Sequence, residues 1–197
     1  MYHNCFLGID DGYFNVLYKR LEPKRKTLLV GAVTCNHKIV DVFLNYITID
    51  SLDGTRKAIE IVEDATSKYE IDAIFLDGVT YAGFNIIDPL RIYNIYSIPV
   101  VTMFRHALDL ERVRFALKKH FTDYTYRFSI IENIYSHSNV VKIGETNLRY
   151  HSIGLPMKFV ETILEKLCRY YFYPYPLHVA DRIASLLGRL YFKEFNR

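Results

Sequence analysis

The sequence predicts a single α/β domain built on a mixed five-stranded sheet, and two observations predict it. Three β-rich segments with short links open the chain, and helical and strand patterns alternate after them. Two short apolar runs, Cys5–Ile9 and Ile71–Leu76, also end abruptly in acid and glycine, as Asp10-Asp11-Gly12 and Asp77-Gly78. Runs of that length bounded by turn residues read as buried strands. An ionised, unpaired Asp at the exit of such a strand costs several kcal/mol, so a chain that keeps one there usually holds something cationic.

Composition sets the outer bounds. With 197 residues, half of them hydrophobic, the chain can bury the core of one full domain. A net charge of +3 permits a nucleic-acid partner without demanding one. Cys5, Cys35 and Cys168 are odd in number and scattered, which indicates neither a zinc site nor a disulfide framework. No signal-peptide pattern opens the chain and no apolar stretch reaches about 18 residues, so the expectation is a soluble cytoplasmic protein with no membrane partner.

Taken in order, residues 4–11 form strand one. The basic stretch Lys19–Lys26, interrupted by Pro23, suits a connection. Thr27–Thr34 and Ile39–Ile49 form strands two and three, joined by a hairpin turn at Cys35–Lys38; short links predict antiparallel pairing. Ala58, Ile61, Val62 and Ala65 lie on one face of a helix from Thr55 to Lys68. The Asp77 strand follows, then a long loop, then a helix from Pro89 to Tyr96, where Pro suits the first turn. Ile98–Phe104 is strand five, and a helix from Leu110 to His120 takes Asp109 as its cap. Residues 122–155 read as irregular, with one or two strands, at Phe128–Ile131 and Asn139–Ile143. Two helices, opened by Pro156 and Pro176, close the chain.

Right-handed crossovers applied to this order give the sheet 3-2-1-4-5 of ribonuclease H-like proteins. Strands one and four are then parallel neighbours about 4.8 Å apart, and Asp10 and Asp77 open at one edge. That edge is where open α/β sheets bind ligands. Two adjacent carboxylates repel unless a cation intervenes. Oxygen-only ligands suit Mg²⁺ or Mn²⁺. A third acid is expected from Asp50 or Asp53, and Asp53 is the better choice because the first helix starts above strand one. Asp11, pointing to the opposite face, serves the turn or supports the site through an outer hydrogen bond. Asp50 and Asp88 read as turn or cap residues with a possible supporting role.

These residues carry a resemblance. The chain is similar to the archaeal endonuclease dU family, itself related to endonuclease V, through Gly8-Ile9-Asp10-Asp11-Gly12 and Asp50-Ser51-Leu52-Asp53-Gly54-Thr55. The long run Leu76–Asp88 and Ile98-Pro99-Val100-Val101 complete the signature. The resemblance spans nearly the whole chain. It implies a ribonuclease H-like fold and metal-dependent cleavage of nucleic acid, with deoxyuridine-containing DNA as substrate in DNA repair. The segment Pro174–Arg182 also resembles the C-terminal helix of endonuclease V, which implies Asp181 as a fourth carboxylate beside the metal. The proline- and tyrosine-rich wedge of endonuclease V has no counterpart here.

Catalysis is thus expected from Asp10, Asp53 and Asp77, with Asp181 as a further metal ligand and no organic cofactor. Gly78 and Gly83 permit close backbone approach to nucleic acid. Tyr81 and Phe84 can stack on a base, with Asn85 beside them, or Phe84 packs the loop onto the core. Arg105 and His106 follow strand five at the same edge and can contact phosphate. The competing expectations are a non-catalytic nucleic-acid-binding module and, last, a phosphotransferase.

Overall fold

A computed structural model describes residues 4–14 and 25–194; the basic stretch Lys19–Lys24 lies outside them. Strands β1 (Cys5–Asp11), β2 (Lys26–Cys35) and β3 (Lys38–Thr48) pair antiparallel in sequence order. Asn36 and His37 turn β2 into β3 with φ of 51° and 61°, the conformation of a two-residue I′ hairpin. Helix α1 (Gly54–Thr66) crosses to β4 (Ala73–Asp77), which runs parallel to β1. A small hairpin, β5 (Thr80–Tyr81) with β6 (Asn85–Ile86), occupies the loop after β4. Helix α2 (Pro89–Tyr96) then crosses to β7 (Val100–Phe104), parallel to β4.

After β7 come α3 (Leu110–His120), α4 (Tyr124–Ser136), β8 (Asn139–Ile143), β9 (Thr146–Ile153), α5 (Met157–Leu167) and α6 (Tyr175–Glu194). The sheet order is β3-β2-β1-β4-β7-β9-β8. The first five positions are the expected 3-2-1-4-5 arrangement. Two antiparallel strands extend it beyond β7, so the sheet has seven strands and not five.

Phe128–Ile131 is corrected from strand to helix. Arg127, Phe128, Ile131 and Ile134 line the buried face of α4, and an arginine within that stripe hid its helical period from hydropathy. Strand β9 was missed because its burial is partial and uneven.

Side-chain alternation divides the core. Leu7, Ile9, Ile74 and Leu76 pack with α1 and α2 on one face, while Phe6, Ala73, Phe75, Val101 and Met103 pack with α5 on the other. Val179, Ala180 and Ala184 of α6 cover β2 on that second face. The cysteine reading is also corrected: Cys5 and Cys35 form a disulfide. They face each other in the β1–β2 register, a juxtaposition that their 30-residue separation does not display. Cys168 is free and buried, its thiol pushed up to about 12 by burial. No helix among the described residues is long and apolar enough to cross a membrane.

Candidate active site

Period two places the first carboxylates. Asp10 continues the face of Phe6 and Gly8, and Asp77 continues that of Ala73 and Phe75. Ile9 pairs with Leu76 in parallel register, so the next step along both strands brings Asp10 level with Asp77. A Cβ at Gly8 would fall on the backbone of Pro176 and Leu177. The glycine therefore lets α6 lie directly on β1, and α6 carries Asp181 to the same sheet edge. Val101 and Met103 of β7 share this face, and Arg105, two residues further, projects from it past the strand end.

The carboxylates meet at one guanidinium. Arg105 Nε donates to Asp77 Oδ2 at 2.7 Å; Nη2 lies 3.5 Å from Asp10 Oδ2 and Nη1 3.6 Å from Asp181 Oδ2. Its plane sits 4.4 Å from the centre of the Tyr173 ring. The Tyr173 hydroxyl donates to Asp77 Oδ1 at 2.6 Å. Burial works against the charge on Arg105, but Asp77, Tyr173, Asp10 and Asp181 outweigh it and keep the guanidinium protonated.

Asp10 is 6% exposed, and its Oδ1 accepts the Asp11 amide at 2.8 Å. Burial, then the charges of Asp77 and Asp11, hold its carboxyl well above the usual carboxylate range. Asp11 faces the other way, as expected, and its Oδ2 accepts from the Ala82 amide at 2.7 Å. Burial pushes its carboxyl up to about 7, against that amide bond and with the help of Asp77. A pocket of about 320 Å³ opens over these groups, with Asp10, Asp11, Asp77, Gly78, Phe84, Arg105 and His106 in its lining.

The donor set tests whether a metal fits. Asp10, Asp11, Asp77 and Asp181 offer only oxygen, the chemistry that Mg²⁺ and Mn²⁺ take. Burial is the main reason that the Asp10 and Asp11 carboxyls are raised, so either would have to give up a proton to bind a cation. Among the described residues no three His, Cys, Asp or Glu side chains already surround one ion position. The guanidinium stands at the point where the carboxylates converge. The donor chemistry suits a hard divalent cation, while the position between the carboxylates is taken by the Arg105 guanidinium.

The other expected residues are distributed differently. Asp53 turns to structure: its carboxylate accepts from Thr48 N and Oγ1 and from Asn85 Nδ2. Asn85 is fully buried and also bonds Gly54 N and Thr48 O, so it knits the loop and is not a surface contact for nucleic acid. Tyr81 is 1% exposed, its hydroxyl directed to the Ile9 and Gly78 carbonyls, which removes it as a base platform. Phe84 lines the pocket and also packs edge-to-face on Phe121. Asp50, at φ 58°, accepts the Phe84 amide. Asp88 caps α2 through Leu90 N and Arg91 N. Gly78 and Gly83 adopt φ of 78° and 88°, which glycine alone takes without strain.

Two contributors escaped the sequence. Tyr173 lies in an aromatic run whose composition does not say which ring turns inward. Arg127, 4% exposed, holds the Phe84 and Ser51 carbonyls while pairing with both oxygens of Asp123. It thereby ties α4 to the loop that borders the pocket.

Fold and site together define an α/β protein of ribonuclease H-like topology with a carboxylate-lined pocket at the carboxyl edge of its parallel strands. Residues 4–188 match the family described as Endonuclease dU, and the chain belongs to that family. A UPF0215 protein of Thermococcus kodakarensis is 33% identical over 180 residues, 91% of this chain and 89% of that protein. The crystal structure of a protein of unknown function from Archaeoglobus fulgidus is similar at 30% identity and TM-score 0.77, covering 93% of this chain and 97% of that one. Endonuclease V of Ciona intestinalis, solved with a 24mer DNA containing an inosine followed by a ribo-adenosine, gives TM-score 0.59 at 9% identity. That match covers 98% of this chain and 87% of the other, and it shows a shared fold.

Proposed function

We propose that the chain is a divalent-metal-dependent endonuclease acting on deoxyuridine-containing DNA in repair. One observation carries the reading: carboxylates from β1, β4 and α6, far apart in sequence, converge on one guanidinium at the ligand-binding edge of the sheet. The family description and the shared fold with endonuclease V support the nuclease assignment. Asp10, Asp77 and Asp181 would hold Mg²⁺ or Mn²⁺, with Asp11 alongside. Asp53 is engaged by Thr48 and Asn85 instead.

The ion, when bound, lowers the cost of generating hydroxide and offsets charge on the phosphate oxygens. Tyr173 fixes one oxygen of Asp77 through its hydroxyl, and the other, which Arg105 Nε holds, would serve the cation once that contact is exchanged. Arg105, once exchanged from the carboxylates, sits within reach of a phosphate and can donate two parallel hydrogen bonds to it. His106, exposed at the pocket rim, adds a polar contact for the backbone. Phe84 closes the apolar side.

The test is a cleavage panel of single- and double-stranded oligonucleotides containing deoxyuridine, hypoxanthine or neither, with Mg²⁺, Mn²⁺ or EDTA. Scission of the deoxyuridine strands that needs the ion is expected, and Asp10→Asn or Asp77→Asn abolishes it while the folded spectrum persists. Full activity in either variant refutes the assignment.

A further inference from the structure

One surface beside the acid pocket is unused by that chemistry. Immediately ahead of α6, Tyr170, Tyr171 and Phe172 are 75, 40 and 76% exposed. Three consecutive aromatic rings in water form an apolar patch of the kind that marks a binding surface. They border a groove of about 510 Å³ whose other walls include Tyr173, His178 and Arg105.

The groove is braced and not a loose loop. Tyr171 stacks on His178 with ring centres 4.1 Å apart and on Tyr175 at 5.6 Å, both near parallel. With Tyr171 stacked on these α6 rings, the more exposed Tyr170 and Phe172 are the rings left to meet a ligand. The groove is also continuous with the candidate active site. Arg105 lines both cavities, and Tyr173, beneath Arg105, holds Asp77. Arg105 lies over the Tyr173 ring in the groove lining, so a cation stands beside the aromatic wall.

Aromatic faces beside a guanidinium, joined to the proposed nuclease site, suit one ligand class. Rings can stack on a nucleobase only when that base is out of a duplex, since paired bases already cover each other's faces. Cations beside the rings serve the backbone that links such bases. A second copy of this chain, or a lipid surface, would not explain why the apolar wall runs into the carboxylates.

We propose that the groove bounded by Tyr170 and Phe172 binds unpaired bases of a single strand whose adjacent phosphate is presented to the pocket of Asp10, Asp77 and Arg105. The proposal rests on the endonuclease reading and adds to it the form of substrate: strands that are single or locally opened. It also supplies the base contact that buried Tyr81 cannot make.

Fluorescence anisotropy in EDTA with a short labelled oligothymidylate and with the matching duplex tests it. The single strand should bind more tightly than the duplex. Replacing Tyr170 and Phe172 together by Ala should weaken single-strand binding about 10-fold or more, with little change for the duplex. Phe172→Tyr should retain the wild-type affinity, because the ring is kept. Equal affinity for both forms, or an unchanged affinity in the double Ala variant, overturns the groove. So does sedimentation showing that the Ala variants convert a dimer to a monomer, which would give the patch to a second copy. Cleavage measured in parallel separates the two readings. Scission that depends on Asp77 alongside unaltered single-strand binding sinks the groove alone, whereas scission unaffected by Asp77→Asn sinks the nuclease assignment.

Discussion

Arg105 brings one positive charge within 3.6 Å of three carboxylates, and its ring-stacked pose on Tyr173 fixes the direction of that charge. Its side chain is 37% exposed, so solvent screens the pairs and reduces their worth. Replacement by Gln keeps a donor for Asp77 but leaves the acids to repel. The expected cost in EDTA is about 1 kcal/mol, or roughly 2–4 °C in a domain of this size. Addition of Mg²⁺ or Mn²⁺ should restore the loss and raise the variant more than it raises the wild type. Differential scanning calorimetry with and without the ion checks this; an equal rise in both proteins would show that Arg105 and the ion do not share a place.

At the scale of the element, Gly8 decides where α6 lies. The helix backbone at Pro176 and Leu177 occupies the space a side chain would need, and the contact is with main chain, which cannot swing aside. Gly8→Ala must therefore lift α6 from β1, carrying Asp181 with it. Overpacking of this kind costs about 1–3 kcal/mol. Urea unfolding should show a lower midpoint with the slope retained, and a metal titration should show weaker binding than in wild type. A parallel Gly144→Ala, at an open turn where no atom lies within 4 Å, has φ of 59° and reports backbone strain alone. Only Gly8→Ala is expected to change the metal titration.

For the whole molecule, the buried carboxyls set a pH dependence. Asp11 has a folded pKa of about 7 against an ordinary value near 3.8, so the folded state binds its proton more tightly than the unfolded state does. Its contribution to stability is complete below about 4 and is lost as pH rises through about 7. Asp10 acts in the same direction. In EDTA the melting temperature should thus fall between pH 5 and pH 8, and Asp11→Asn should flatten that slope. A slope unchanged by Asp11→Asn would mean that other groups set it.

Much of this was legible before the fold was known. The chain's turn chemistry and apolar runs, with right-handed crossovers, determined β1, β2, β3, β4 and β7 and their order in the sheet. The same pattern put Asp10 and Asp77 at strand exits, because an acid after a buried run stands out against hydropathy. Resemblance alone brought Asp181 into view. Beyond the Asp10–Asp77 edge, what the sequence could not supply was which side chains of distant segments meet. Tertiary structure decided that Arg105 turns inward, that Tyr173 holds Asp77 while Tyr81 is buried against the Ile9 and Gly78 carbonyls, that Asp53 serves Thr48 and Asn85, and that Cys5 meets Cys35. The physical reason is the same in each case. Periodicity and turn residues act over a few positions of chain, whereas the partner of a charge, a hydroxyl or a thiol is whichever group the packed elements bring within a few ångströms.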